Sequence, residues 1–242
     1  MITIGTDPEV FLFSKRTKKF VSAHGMFPGT KHEPYPLGNR GFMQVDGHAL
    51  EFNTAPASTE EEFVEAVSDV FQMIKDAVHE VSDDLEIALE PVANFTKGYF
   101  KALPRESKVL GCDPDFSGLT GNVLSPPDIS DLPIRTSSGH IHIGWTVGDD
   151  PFDDVQFAQR LSVAQRVTPD LLDVAKDWET SSSVARRQYY GRELAFRPKH
   201  YGVELRALDC LWLKNKESIA KVFNTTVQSF SNNFKELAAH AG

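Results

Sequence analysis

Two carboxylates stand two positions apart at the head of an apolar run in the segment GTDPEVFLF, residues 5–13. On an extended chain Asp7 and Glu9 would share one face, where their charges repel. Pro8 between them removes a backbone donor, which a strand tolerates only at its start or edge. Such a pair calls for water or a cation beside it. A second acidic set follows in VDGHALEFN, with Asp46, His48, Glu51 and Asn53. In SSGHIHIGW the imidazoles of His140 and His142 alternate with Ile141 and Ile143, the period of a strand with one polar and one apolar face. Glu204 and Arg206 alternate with apolar residues in the same way in GVELRALD. Oxygen donors with a little imidazole suit a hard divalent cation such as Mg2+ or Mn2+. Two carboxylate sets in one place suit a pair of cations acting on phosphates.

The chain is acidic, with a formal net charge of −9, yet residues 186–206 carry Arg186, Arg187, Arg192, Arg197, Lys199 and Arg206. Guanidinium groups make bidentate contacts to phosphate or carboxylate and stay charged. Acids that bind cations, facing such a segment, make a phosphoryl-transfer site, where catalysis is largely positioning and charge neutralisation. Each feature also has a plainer reading. Asp7 and Glu9 on a wet edge strand, H-x-H on an exposed face, and E-x-R as a same-face ion pair would all look alike in sequence. No glycine-rich phosphate loop of the G-x-x-x-x-G-K-[ST] or G-x-G-x-x-G type is present, so nucleotide binding by those routes is not supported. The acidic balance argues against nucleic-acid binding.

These side chains need strands to carry them. Apolar runs and alternation place strands within residues 5–13, 18–26, 42–56, 85–95, 137–147 and 202–213, with a hairpin turn at Asp46-Gly47. A helix begins at Ser58, where Ser58 and Glu61 form a capping box ahead of a stripe from Phe63 to Val81. Residues 152–180 read as helical with a break at Thr168-Pro169, and a last helix runs over 214–239. Residues 103–136 lack periodicity, and a connection that long is more often functional than structureless. The expectation is one α+β domain over residues 1–242, a curved and mainly antiparallel sheet covered by helices. Cys112 and Cys210 read as free thiols, no run is long enough to span a membrane, and the N-terminal residues lack a signal-peptide pattern. A cytoplasmic protein is expected.

Taken together and in order, these segments resemble the carboxylate–amine ligases of the glutamine synthetase and γ-glutamylcysteine ligase superfamily. The likeness is greatest to the compact amidoligases encoded by bacteriophages. GTDPEVFLF is similar to the superfamily's opening acidic strand, SSGHIHIGW to its G-x-H-x-H strand and GVELRALD to its E-x-R-x-x-D strand. QVDGHALEFNTAPA and YYGRELAFRPKHYGVELR resemble motifs of the phage type. The resemblance implies a glutamine synthetase-like catalytic domain with its active site on the concave face of the sheet. It implies that Asp7, His140 and Glu204 hold one Mg2+ or Mn2+ at the terminal phosphates of ATP. Glu9 and Glu51, with Asp46, would hold a second. Arg187, Arg192 and Arg206 would neutralise the transferring phosphoryl group, His142 would lie near the nucleotide, and Arg186 and Arg197 compete for the same phosphate-binding roles. The implied reaction phosphorylates a carboxylate and displaces the phosphate with an amine. A peptide, a cell-wall component or a host protein tail would serve as substrate, in the host cytoplasm if the chain is phage-encoded. Two departures stand out: position 7 is Asp where the larger enzymes usually have Glu, and the small domain that completes the glutamine synthetase site between subunits has no counterpart. A homo-oligomer is therefore left open. The competing expectations are a binding or virion-associated protein that lost catalysis and a metal-dependent phosphate-ester hydrolase.

Overall fold

Pro8 ends one strand and lets another begin. The computed structural model describes residues 2–108, 114–125 and 127–240; Cys112 lies outside them. In chain order come β1 (Thr3–Thr6), β2 (Glu9–Ser14), β3 (Lys19–Val21), β4 (Tyr35–Leu37), β5 (Gly41–Asp46), β6 (Ala49–Thr54) and α1 (Glu60–Val81). Then follow β7 (Leu85–Ala88), β8 (Val92–Asn94), α2 (Lys97–Ala102), β9 (Ile134–Thr136), β10 (Ile141–Gly144), α3 (Asp154–Ala175) and α4 (Ser181–Arg186). The chain closes with β11 (Phe196–Lys199), β12 (Gly202–Leu205), α5 (Lys216–Asn233) and α6 (Lys235–His240).

One sheet has the order β1-β10-β12-β11 and a second the order β3-β2-β6-β5-β4, with β7 also paired to β2. Every pairing is antiparallel. The strands curl strongly into an antiparallel half-barrel, so the molecule is α+β. The expected single strand over residues 5–13 is thus two strands in two sheets. Pro8 cannot donate to the first ladder, while its carbonyl accepts from Phe52 N–H at 3.1 Å in the second. Asp7, between the strands, and Glu9, the first residue of β2, are therefore not carried by one strand, although the Asp7 charge still acts on Glu9. Residues 85–95 divide likewise, β7 joining β2 and β8 joining β9.

The apolar sides of the strands and helices make a main core, beside a smaller cluster of Phe11, Ala49, Ala93, Phe95 and Phe100. Ile4, Leu50, Phe52, Ile141, Ile143 and Val203 pack with Phe63, Val67 and Val70 of α1, Val163 and Val167 of α3, and Val222 and Phe230 of α5. Burial of each large apolar side chain contributes about 1.5–3 kcal/mol. The helices cover this face and leave the imidazole face of β10 turned away from them.

Helix ends differ from expectation by small, explicable amounts. The capping box of α1 is Thr59 with Glu62, one residue later than Ser58 with Glu61. Pro169 lies inside α3 and does not break it, because Val163, Ala164, Val167 and Leu171 stay buried on both sides of the one lost hydrogen bond. Asn215 caps α5 by accepting from Ser218 N–H, which separates the helix from the 3-10 turn Cys210–Lys214. Among the described residues no helix is long and apolar enough to cross a membrane.

Gly202 opens β12 and has no substitute there. Its φ is +151°, and a Cβ would stand 2.1 Å from Ile143 O and 2.8 Å from the Trp145 ring. Gly202→Ala is expected to lower unfolding free energy by about 3 kcal/mol or more, read from urea denaturation. A loss below about 0.5 kcal/mol would show that β12 can shift away from β10 at little cost.

Candidate functional site

Register across the first sheet builds one row of polar side chains. Gly5 of β1 pairs with His142 of β10, His142 with Glu204 of β12, and Glu204 with Arg197 of β11. Residues two apart share a face, so His140 and Arg206 extend it just beyond the strand ends. Asp7, leaving β1, reaches both imidazoles: its Oδ1 lies 3.0 Å from His140 Nδ1 and 3.0 Å from His142 Nε2. His140 Nδ1 is also 3.6 Å from Glu204 Oε1. Glu204 is almost fully buried and ringed by cations, with Lys199 Nζ at 2.7 Å, Arg197 Nη1 at 3.4 Å and Arg206 Nη1 in direct contact.

The second sheet adds a row of acids. Glu9 pairs with Glu51 across β2 and β6, and Glu51 with Gln44 across β6 and β5. Gln44 Nε2 donates to Glu51 Oε2 at 2.8 Å. Asp46, at the end of β5, completes the group. Ligand atoms of Glu9, Asp46 and Glu51 lie within 4.8 Å of one another, as do those of Asp7, His142 and Glu204. The two groups meet at Asp7-Pro8-Glu9. A cavity of about 380 Å³ opens between the sheets beside His142 and Glu51, walled also by Thr3, Gly5, Asn53 and Tyr201.

Charge on these groups follows from burial and neighbours. Burial pushes the Glu9 carboxyl from its ordinary value near 4.5 up to about 8, with help from Asp46 and partial opposition from Arg206. Burial, then the charges of Asp7, Glu9 and Asp46, raise Glu51 well above the usual carboxylate range. Burial raises Asp46 too, against the pull of Lys31 and Arg206. Asp7 goes the other way: burial would raise it, but the charges and hydrogen bonds of His142 and His140 hold it well below the usual range. Burial and Arg206 depress His140, whereas Asp7 lifts His142 in spite of burial. The donor set is oxygen with imidazole, and the acid trio is hard to ionise without added positive charge. The first fact fits a hard divalent cation in either group, and the second fits one at the acid trio.

The residues singled out in the sequence do not all meet here. Asp7, Glu9, Asp46, Glu51, His140, His142, Arg197, Glu204 and Arg206 come together, and either imidazole can reach the Asp7–Glu204 group. Arg186 does not present its guanidinium to this face. It is fully buried and donates to Ser137 O at 2.6 Å, Ala207 O at 2.9 Å and Ser138 Oγ at 3.0 Å. It is a clamp on the segments that carry His140 and Arg206. Arg187 pairs with Glu179 at 2.5 Å, and Arg192 donates to Ser125 O at 2.9 Å; neither contacts the acids. His48 also turns away, its Nδ1 2.7 Å from Ser22 Oγ and its ring against Phe95 and Phe100. Burial, then Arg135, drives its pKa down to about 4, so it is a neutral packing residue.

Three participants carried no clear signal in the sequence. Asp115 bridges Arg197 Nη2 and Arg206 Nε, each at 2.9 Å. Tyr201 hydrogen-bonds His142 Nδ1 through its hydroxyl. The Tyr190 ring lies 5.2 Å from both the Arg186 and the Arg206 guanidinium carbons, an aromatic spacer between the two cations. For Asp115 the sequence offered only the unusual length of the connection that contains it. No protein-family model and no curated protein matches the chain.

A carboxyl raised from 4.5 to about 8 contributes stability that is complete below the lower value and lost as pH rises through the higher one. The acid trio therefore weakens the fold most under alkaline conditions, where a cation bound there would offset its repulsion. Mg2+ or Mn2+ is expected to raise the melting temperature more at about pH 8.5 than at about pH 5.5. Glu9→Gln should raise it at about pH 8.5 without added metal and abolish part of the metal effect. Equal metal shifts at both pH values, in wild type and variant alike, would remove the cation from this trio.

Proposed function

We propose that the protein is an ATP- and divalent-cation-dependent carboxylate–amine ligase of glutamine synthetase-like fold, working through an acyl-phosphate. The observation that carries this reading is the meeting of two carboxylate donor groups at one chain bend, with Arg197, Lys199 and Arg206 facing one of them. A hydrolase needs only the acids and a water. A cationic wall beside a double acid site fits better the joining of two anions, a polyphosphate and a carboxylate, that would otherwise repel.

Asp7 and Glu204, with His140 or His142, would hold one cation, and Glu9, Asp46 and Glu51 the other. Bound there, Mg2+ would screen the charge of the triphosphate and of the attacking carboxylate. The nucleotide would enter by the cavity beside His142, where Gly5 leaves no side chain to block its approach. Arg206, Arg197 and Lys199 would bind the oxygens of the transferring phosphoryl group, and Arg186 with Tyr190 would keep Arg206 in place. Burial of His140, Glu204 and Arg206 keeps bulk water from that wall, which protects an acyl-phosphate from hydrolysis until an amine arrives. The substrates would be a carboxylate and an amine outside the described chain, a peptide or cell-wall component being the class the resemblance favours.

Calorimetric titration with ATP, with and without Mg2+, followed by an ADP-release screen of carboxylates with amines, tests the reading. Wild type should bind ATP only with Mg2+ and release ADP only when both substrates are present. Glu204→Gln and Arg206→Lys should each lower turnover about a hundredfold or more, the latter because lysine lacks the planar fork. Phosphate release that ignores the amine would favour the hydrolase, and absence of any nucleotide binding would favour the non-catalytic protein.

A further inference from the structure

Asp115 is the acid at this site with no part in either donor group. Its side chain is 11% exposed, and its Oδ1 lies 2.9 Å from Arg197 Nη2 and 2.9 Å from Arg206 Nε. Two guanidinium groups converging on one oxygen make the arrangement a phosphate oxygen would want. The carboxylate is firmly seated. Phe116 and Phe196 exchange backbone hydrogen bonds at 2.8 and 3.0 Å, Leu124 N–H donates to Asp115 O at 2.8 Å, and the Phe116 ring packs on Phe157 and Phe196. Asp115 is thus built into the edge of β11 rather than carried on a free loop.

Each cation of this wall is engaged: Arg197 and Arg206 face both Asp115 and Glu204, and Lys199 faces Glu204. A free phosphate arriving alone would have to compete with Asp115 and Glu204 for these cations. A phosphate arriving with a divalent cation meets a different site, because the cation takes up Asp7 and Glu204 and releases Lys199 and part of Arg206. We propose that Asp115 is a specificity-determining internal counter-anion, which holds Arg197 and Arg206 occupied so that phosphates bind only as their metal complexes. The proposal rests on the phosphate-handling reading above, but its sign is its own: removing this acid should strengthen anion binding in the absence of metal.

The test compares wild type, Asp115→Asn and Asp115→Glu by calorimetry with inorganic pyrophosphate and with ATP, in excess chelator and again in Mg2+. In chelator, Asp115→Asn should bind pyrophosphate and ATP about tenfold or more tighter than wild type. Asp115→Glu should restore the metal requirement. Unchanged or weaker metal-free binding by Asp115→Asn would overturn the proposal and leave Asp115 as a brace for the two arginines, since loss of a brace cannot tighten binding. Asp115→Ser repeats the comparison should the amide variant fail to fold. If wild type ignores Mg2+-ATP while Asp115→Asn gains pyrophosphate, the ligase reading falls and the counter-anion stands. If wild type binds Mg2+-ATP and the variant gains nothing, the reverse holds.

Discussion

A proline that cannot donate a hydrogen bond sets the geometry of this molecule. Pro8 has no N–H for the ladder that joins β1 to β10, yet its carbonyl is tied to Phe52 and the next residue, Glu9, donates to Ser138 O at 2.8 Å. The chain leaves one sheet and enters the other within two residues. Asp7 is left at the rim of the first sheet and Glu9 at the rim of the second. Two acidic groups that are neighbours along the chain thus serve separate donor sets while staying close in space. The curl of the half-barrel brings the remaining donors in from four other strands or strand ends.

An acidic protein that buries several arginines must give each one acceptors, and the choice of acceptor separates scaffold from site. Arg135 spends its guanidinium on the carbonyls of Lys108, Ile129, Ser130, Leu132 and Ile134. Arg160 bonds Lys199 O and Gln156 and lies over Trp145, steadying the end of β11. Arg186 fastens the segments around residues 137 and 207. These three bond mostly main chain, with Arg160 also pairing with Asp149 at 3.4 Å and Arg186 also donating to Ser138 Oγ. Arg197 and Arg206 instead face carboxylates, those of Asp115 and Glu204.

Much of this was legible in one dimension because two-residue periodicity survives folding. The alternation of His140 and His142 with isoleucines, and of Glu204 and Arg206 with Val203 and Leu205, assigned the correct faces before any pairing was known. The Asp46-Gly47 hairpin was equally plain, since Gly47 takes φ +55°. What was hidden depends on which strands become neighbours. The row Gly5–His142–Glu204–Arg197 exists only through register, and the partners of Asp115 lie 82 positions or more away. The six arginine and lysine residues of 186–206 look alike in composition. Short α4 and the turn after it send Arg186 inward and Arg187 toward Glu179, a division that no spacing rule announces. The continuation of α3 through Pro169 is another tertiary effect, in which buried contacts override a local breaker.

The distribution of the site along the chain also bears on how it comes to exist during folding. Arg197, Lys199 and Glu204 belong to the antiparallel pair β11 and β12, joined by a connection of two residues. Such a local element closes in about 1–10 μs. Asp7 meets His140 across 133 positions of sequence, and contacts so distant bear a loop-closure cost before they form. The cationic wall and Glu204 thus rest on contacts local in sequence, whereas joining them to Asp7 depends on long-range contacts between distant strands.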